Sequence, residues 1–276
     1  DIMKPTYIAL GLFLATTLAQ AQEHWPRFRG ANAMSVAKED PRLPDRWSKT
    51  ENVHWRVHAP GLGWSSPIIW GKRVFLTSVV CDEADANEAP KAGLYNGRGR
   101  QEIPKGTHHW LTTCFDIETG KQLWQHEAHT GSPPVGRHPK STYASETPAT
   151  DGERLYVLFG DLGLWCYDME GKVLWKHHIE AKKTMYDYGA AGSPVVHENQ
   201  VIVVYDNHEA SYIAAFDTKT GKERWRTARD EKSTWATPFI WKHAQRTEIV
   251  VSGKNRMRAY DVSGKGLWDC AGNMSH

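Results

Sequence analysis

Glu146 is the acidic residue best placed for chemistry, because Tyr143-Ala144-Ser145-Glu146 sets a carboxylate behind an aromatic ring and two small side chains. Three other segments share that build without the acid: Gly63-Trp64-Ser65, Tyr188-Gly189-Ala190-Ala191-Gly192 and Trp235-Ala236. Rings beside small residues leave room for a flat ligand, and the carboxylate would orient it. The sequence offers no Asn or Asp companion to Glu146 that would complete a site for a hard, oxygen-seeking cation. The histidines at 108, 109, 126, 129, 138, 177 and 178 come without a His-Glu-x-x-His helix or a Cys-x-x-Cys pair, so no metal site is predicted. Neighbouring histidines on a strand point to opposite faces, and the sequence predicts solvated strand histidines. Gly61-Leu62-Gly63 and Gly97-Arg98-Gly99 precede no helix and cradle no phosphate, and no Gly-x-Ser-x-Gly elbow is present.

Each of the four aromatic segments runs into a Ser/Thr-Pro pair: Ser66-Pro67, Thr147-Pro148, Ser193-Pro194 and Thr237-Pro238. A second marker keeps step with the first. An aromatic residue and Asp, then Gly-Lys, then Trp recur as Asp116, Gly120 and Trp124; Asp168, Gly171 and Trp175; Asp217, Gly221 and Trp225; and Asp261, Gly264 and Trp268. The tryptophans fall 51, 50 and 43 residues apart, a period that belongs to repeat arrays.

Between the markers, runs of β-branched and aromatic residues are bounded by Gly, Asp and Asn, which reads as strands joined by tight turns. The second unit predicts strands from Pro148 to Thr150 and at 155–159, 164–167 and 173–176. The third repeats them at 193–196, 201–205, 212–216 and 223–226. Four strands per unit of 40 to 50 residues, repeated radially, predict an all-β chain built as a β-propeller of antiparallel blades. The Asp can accept backbone N–H groups of the turn it opens, and the Gly supplies a positive φ. The Trp can cover the joint between blades. In that fold the segments holding Trp64, Tyr143, Glu146 and Trp235 open the innermost strands and line the mouth of the central channel. Four complete units predict part of a seven- or eight-bladed ring cut short at its C-terminal end, with a closed four-bladed ring as the alternative. Trp55 stands where a final-strand Trp would close the ring.

The repeated string at residues 114–124, 166–175, 215–225 and 259–268 resembles the tryptophan-docking motif of the pyrroloquinoline quinone (PQQ) type propeller repeats. That family includes quinoprotein alcohol dehydrogenases and the propeller subunit of the outer-membrane protein assembly machinery. The resemblance covers residues 53–276, and Trp25-Pro26-Arg27-Phe28-Arg29-Gly30 is similar to the start of a secreted subgroup. In the quinoproteins the resemblance implies PQQ at the channel mouth, between a Trp and a disulfide of adjacent cysteines, with calcium held by Glu, Asn and Asp. This sequence has no Cys-Cys pair. The expectation is therefore a non-catalytic binding scaffold with no cofactor, and the alternative is a periplasmic PQQ- and calcium-dependent oxidoreductase using Trp64 and Glu146. A polysaccharide-binding propeller is a third possibility.

Residues 1–21 have the charged start, short apolar run and small-residue end of a signal peptide, which predicts a periplasmic or secreted protein. Residues 22–52 form an N-terminal extension, and 53–276 the repeats. A net charge of +2 with singly spread Lys and Arg argues against a nucleic-acid partner, and no apolar run is long enough to span a membrane. A protein or cell-envelope partner is expected. Residues 81–107 have the composition of a long inserted loop, and 131–140 that of a smaller linker. Cys114 and Cys166 take the place of Ala215 and Ala259, as small buried side chains, and Cys81 and Cys270 are not expected to pair.

Overall fold

The computed structural model describes residues 24–83 and 102–272. The signal-peptide segment and most of the insertion at 81–107 lie outside the described residues. Sixteen strands form four separate four-stranded antiparallel sheets, each a meander in chain order. Blade 1 holds β1 (Ile68–Trp70), β2 (Arg73–Cys81), β3 (His108–Asp116) and β4 (Gln122–Gly131). Blade 2 holds β5 (Ala149–Thr150), β6 (Arg154–Phe159), β7 (Gly163–Asp168) and β8 (Val173–His178). Blade 3 holds β9 (Val195–His197), β10 (Gln200–Tyr205), β11 (Tyr212–Asp217) and β12 (Glu223–Ala228). Blade 4 holds β13 (Phe239–Lys242), β14 (Thr247–Ser252), β15 (Arg256–Tyr260) and β16 (Gly266–Ala271). The chain is a β-propeller. The insertion begins later than its composition predicts, because β2 runs on to Cys81, which pairs with His108.

Strand alternation explains how blades stack. Successive side chains of a strand point to opposite faces, so a blade covered on both sides must be apolar at every position of its middle strands. In β6, Leu155, Val157 and Phe159 pack with Phe75, Val79 and Trp110 of blade 1, while Tyr156 and Leu158 pack with Val201 and Val203 of blade 3. Ile202 and Val204 face Ile249 and Val251 across the next joint. Cys114, Cys166, Ala215 and Ala259 are all fully buried at one equivalent position, the two cysteines as free thiols.

At the rim, the turn before each outer strand is built one way. Asp116 Oδ1 accepts the backbone N–H groups of Glu118 and Thr119 at 3.1 and 2.8 Å, and Asp217 Oδ1 those of Lys219 and Thr220 at 3.0 and 2.9 Å. Asp168 and Asp261 do the same in their turns. The glycines that follow have φ of +70°, +90°, +68° and +84°. An indole from the preceding unit fills the space over each of them. Trp55 lies on Gly120, Trp124 on Gly171, Trp175 on Gly221 and Trp225 on Gly264. Their Nε1 groups donate to the carbonyls of Ile117, Met169, Thr218 and Val262 at 2.7, 3.0, 3.0 and 3.1 Å. Trp268 instead donates to Glu248 of its own blade at 2.6 Å.

At the hub, the Ser/Thr-Pro markers form a chain of hydrogen bonds. Thr147 Oγ1 accepts the backbone N–H of Ser66, Ser193 Oγ that of Thr147, and Thr237 Oγ1 that of Ser193, each at 3.0 Å. The hydroxyl is needed because each N–H faces the next blade rather than a ladder partner. The N-terminal extension then crosses the inner strands. Trp25 exchanges two backbone bonds with Ile69 at 2.9 Å, Pro26 accepts the Thr150 N–H at 2.9 Å, and Arg27 donates to the Val196 carbonyl at 3.4 Å. Those three partners are the same position of three successive blades, third after the marker Ser or Thr.

Two stability predictions follow from rim and hub. A Cβ on Gly171 would sit 2.6 Å from Trp124 at a φ of +90°, so Gly171→Ala should cost about 2–4 kcal/mol. Gly266, with nothing within 4 Å, should tolerate Ala within about 0.5 kcal/mol in the same urea titration. Ser193→Ala strands the buried Thr147 N–H and should cost about 1–3 kcal/mol, with Ser193→Thr restoring most of it.

Candidate functional site

The segment before the blade 2 marker is held from both sides. The Ala144 carbonyl accepts the N–H groups of Trp64 and Ser65 at 2.9 and 3.1 Å, and Thr147 is tied into the marker chain. This fixes Glu146 pointing inward, 3% exposed, toward the turn between β6 and β7. Its Oε1 accepts the Gly160 N–H at 3.0 Å. Gly160 is required by close approach: a Cβ there would fall 2.6 Å from Glu146 Oε1 and 2.4 Å from the Ala190 Cβ.

The next residue of that turn supplies a second acid. Asp161 Oδ1 accepts the Tyr205 hydroxyl at 2.6 Å and Oδ2 the Ala190 N–H at 2.9 Å. Glu146 and Asp161 line one cavity with Trp110, Arg137, Tyr143 and Tyr188. Asp161 is thus a neighbour of Glu146 that the sequence does not reveal. The partner comes from a hairpin tip, where Gly160-Asp161 reads in the sequence as ordinary turn chemistry.

Burial disfavours the charged form of both acids. It pushes the Glu146 pKa up to about 8, aided by the nearby Asp161 charge, and raises Asp161 as well. Burial also raises the phenols of Tyr143 and Tyr205, the latter further because of Asp161. The arrangement is a buried carboxyl pair in which burial favours the protonated form of Glu146. It can hold a proton or bind a water.

The structure brings Tyr143 and Glu146 to this cavity and places Trp64 and Trp235 outside it. Tyr143 donates its hydroxyl to the Val135 carbonyl at 3.0 Å. The Trp64 ring is 57% exposed, and Trp235 Nε1 donates to the Gly189 carbonyl at 2.9 Å. The cavity measures about 20 Å³, room for a single water and none for a fused tricyclic quinone. Among the described residues no group of three or more His, Cys, Asp or Glu is placed to hold a metal ion. Tyr143, Glu146 and their neighbours as they stand do not fit PQQ with calcium. His108 corrects an expectation. It is 4% exposed, against the solvated position expected, because its ring packs edge-on to Tyr143 at 5.5 Å and near Trp110. His109 points the other way, between Glu127 at 2.8 Å and Asp82 at 3.1 Å.

The acid pair implies a pH dependence. Because the folded-state pKa of Glu146 lies above an ordinary carboxyl's, its contribution to stability is complete below about pH 4.5 and lost as pH rises toward about 8. Histidines held low by burial, such as His108 and His197, act in the opposite direction over the same range, so the effect is read as a difference: between pH 5 and 8 the melting temperature should fall by roughly a few degrees relative to a protein without this carboxyl. Glu146→Gln, which keeps an acceptor for Gly160, should flatten that fall.

The family model described as outer membrane protein assembly factor BamB matches residues 34–211. No curated protein matches the chain. Among solved structures, a quinohemoprotein alcohol dehydrogenase of Pseudomonas putida HK5 is 16% identical over 64% of this chain and 35% of its own, with a TM-score of 0.44. A europium-containing methanol dehydrogenase is 12% identical over 74% and 41%, with a TM-score of 0.48. BamB of Moraxella catarrhalis is 15% identical over 63% and 49%, with a TM-score of 0.38. The chain thus spans between about a third and a half of the length of these structures. With more than half of its 276 residues inside the family model, and four blades carrying the repeat, the chain belongs to this family of PQQ-type repeat propellers.

Proposed function

We propose that this is an exported, non-catalytic propeller that serves as a binding scaffold for a protein or cell-envelope component. The observation that carries the reading is the geometry of the channel mouth. The pocket of Glu146 and Asp161 there has room for a water, and the polar groups around it are bonded to the protein itself. Asp161 is taken by Tyr205 and Ala190, Glu146 by Gly160, and Tyr143 by Val135. The same face offers surface for contact instead. Trp64 is 57% and Tyr186 38% exposed, and β3 begins there with His108 against Tyr143.

Tyr186 and Asp187 support this. Both are in the left-handed region, with φ of +55° and +54°, which costs on the order of 1–3 kcal/mol at each non-glycine residue and is met most often at functional surfaces. The family's description as an assembly factor agrees with a protein partner. The signal-like segment at 1–21 supports export to the periplasm or beyond. Among the described residues no helix is long and apolar enough to cross a membrane.

The competing oxidoreductase reading is tested directly. Titration of the protein with PQQ and calcium should leave the quinone absorbance unchanged, and a dye-linked alcohol oxidation assay should show no turnover. Saturable binding with turnover would replace the scaffold by a dehydrogenase.

A further inference from the structure

Blade 1 stands taller than its neighbours. Aligned on the equivalent positions Cys114, Cys166, Ala215 and Ala259, the ladder between the two middle strands ends at Phe159 with Gly163 in blade 2 and at Tyr205 with Tyr212 in blade 3, and one pair sooner, at Ser252 with Met257, in blade 4. The pair of blade 1 that matches blades 2 and 3 is Ser78 with Leu111, yet its ladder continues through Val79 with Trp110, Val80 with His109 and Cys81 with His108. The outer strand lengthens to match: β4 runs on to Gly131, seven residues past Trp124, whereas β8 stops at His178, three past Trp175. Blade 1 therefore carries an overhang that reaches beyond the middle strands of the other blades, and the insertion at 81–107 springs from its end.

His109 sits in this overhang with a carboxylate on each ring nitrogen. Nδ1 lies 2.8 Å from Glu127 Oε2 on β4, and Nε2 lies 3.1 Å from Oδ1 of Asp82, the first residue after β2. Thr130 donates its hydroxyl to the other oxygen of Glu127 and steadies that acid. A carboxylate ion only accepts hydrogen bonds, and a neutral imidazole has a single N–H. The neutral ring can serve one of the two acids while its bare nitrogen faces the other. Only the imidazolium serves both. Among the described residues these two acids are the charges bonded to the ring. His108, next along β3, points to the other face, where its ring meets Tyr143 and feels the charge of Arg137. His126 adds its field to Glu127, Glu83 lies against Gly106, and Gly61 and Leu62, which lie against Val79 and Val80, bring no charge. The bond to Glu127 raises the His109 pKa above its ordinary 6.5; burial opposes this, and the bond to Asp82 adds to it.

We propose that His109 is a proton-operated clasp at the root of the insertion. With its second proton the ring ties Asp82 to Glu127 and so holds the end of β2 against the outer strand β4. Without that proton it keeps Glu127, the shorter bond and the acid that Thr130 steadies, and lets Asp82 go. The backbone there is held by little else: the Asp82 N–H donates to the Thr107 carbonyl at 3.0 Å, and Cys81 Sγ lies 3.6 Å from the Lys105 carbonyl. Because the folded-state pKa of His109 is raised, the clasp is closed from above the carboxylate range to about pH 6.5 and is lost as pH rises through the raised midpoint. Since β3 begins at the channel mouth, with His108 against Tyr143, pH sets how firmly that side of the mouth is held. The clasp goes beyond the scaffold reading and does not depend on it.

Histidine-ring NMR and amide hydrogen exchange on the full chain test it, with His109→Gln and Asp82→Asn as variants. The side chains of His109, Asp82 and Glu127 are 26%, 63% and 51% exposed, so neither change disturbs the core. His109 should titrate with a midpoint above 6.5, and Asp82→Asn should bring that midpoint down. Exchange of the Asp82 amide, corrected for its intrinsic pH dependence, should quicken by roughly two- to fivefold as pH rises through the midpoint, the size expected when an exposed charged pair is lost. The step should vanish in His109→Gln. His108, whose pKa burial lowers, titrates on the acid side of 6.5 and is told apart by that. A His109 midpoint at or below 6.5, a midpoint that Asp82→Asn leaves in place, an Asp82 amide without a step, or a step above pH 6.5 that survives His109→Gln would each overturn the clasp.

Discussion

An indole filling the space where a glycine has no side chain is the contact on which each joint of this wheel depends. It imposes three demands at once. The glycine must take a positive φ to turn the chain into the outer strand, it must lack a Cβ to admit the ring, and the carbonyl beside the turn must face the indole N–H. Asp at the head of the turn meets the last demand by holding the loop's own N–H groups on its carboxylate, which frees the carbonyls to point outward. Burial of a large ring gives about 1.5–3 kcal/mol at each joint. The hydrogen bond adds direction, so rotation of a blade about its radius breaks both together.

The rim alone would leave the blades free to splay at the centre. There the marker hydroxyls, each accepting a backbone N–H from the preceding blade, link units at one repeated distance, and the Trp25 to Arg27 segment crosses three edges in register. The mouth face carries the strained Tyr186 turn and the exposed Trp64.

The blades were legible in the sequence because their signals are local and repeated. Strand-length apolar runs, Asp-Gly turns and a constant phase between two markers leave little freedom in the fold. Where sequence reading fell short, the missing information was contact across blades. Asp161 sits in a turn and reads as turn chemistry, yet Ala190 and Tyr205 of blade 3 hold it against Glu146's cavity. The polar pair His108-His109 reads as solvated, yet one ring is enclosed by Tyr143 and Trp110. Trp25-Pro26-Arg27 has no periodicity, and its role rests on main-chain groups that no side-chain pattern encodes.

Local repetition also raises a difficulty that the third joint resolves. Blades with interchangeable apolar faces could pack out of order, since one alternating pattern fits another. Ile179 closes the joint after blade 2, with its N–H on the Leu162 carbonyl and its side chain in the apolar cluster. The equivalent residue of blade 3, whose N–H meets the Ser211 carbonyl, is Arg229. Its guanidinium is fully buried, bonded to both oxygens of Asp206 at 2.7 and 3.0 Å and to the Tyr260 hydroxyl of blade 4 at 2.9 Å; Thr234 donates to the same carboxylate at 2.6 Å. Such a pair adds little net stability against an apolar substitute of the same shape, because desolvation offsets its attraction. Its value is discrimination. A blade lacking a hydroxyl at the Tyr260 position, such as the one presenting Phe216, would leave a buried donor unmet, at about 1–3 kcal/mol or more for a charged group. The charged joint therefore favours blade 4 over a blade without that hydroxyl as the neighbour of blade 3.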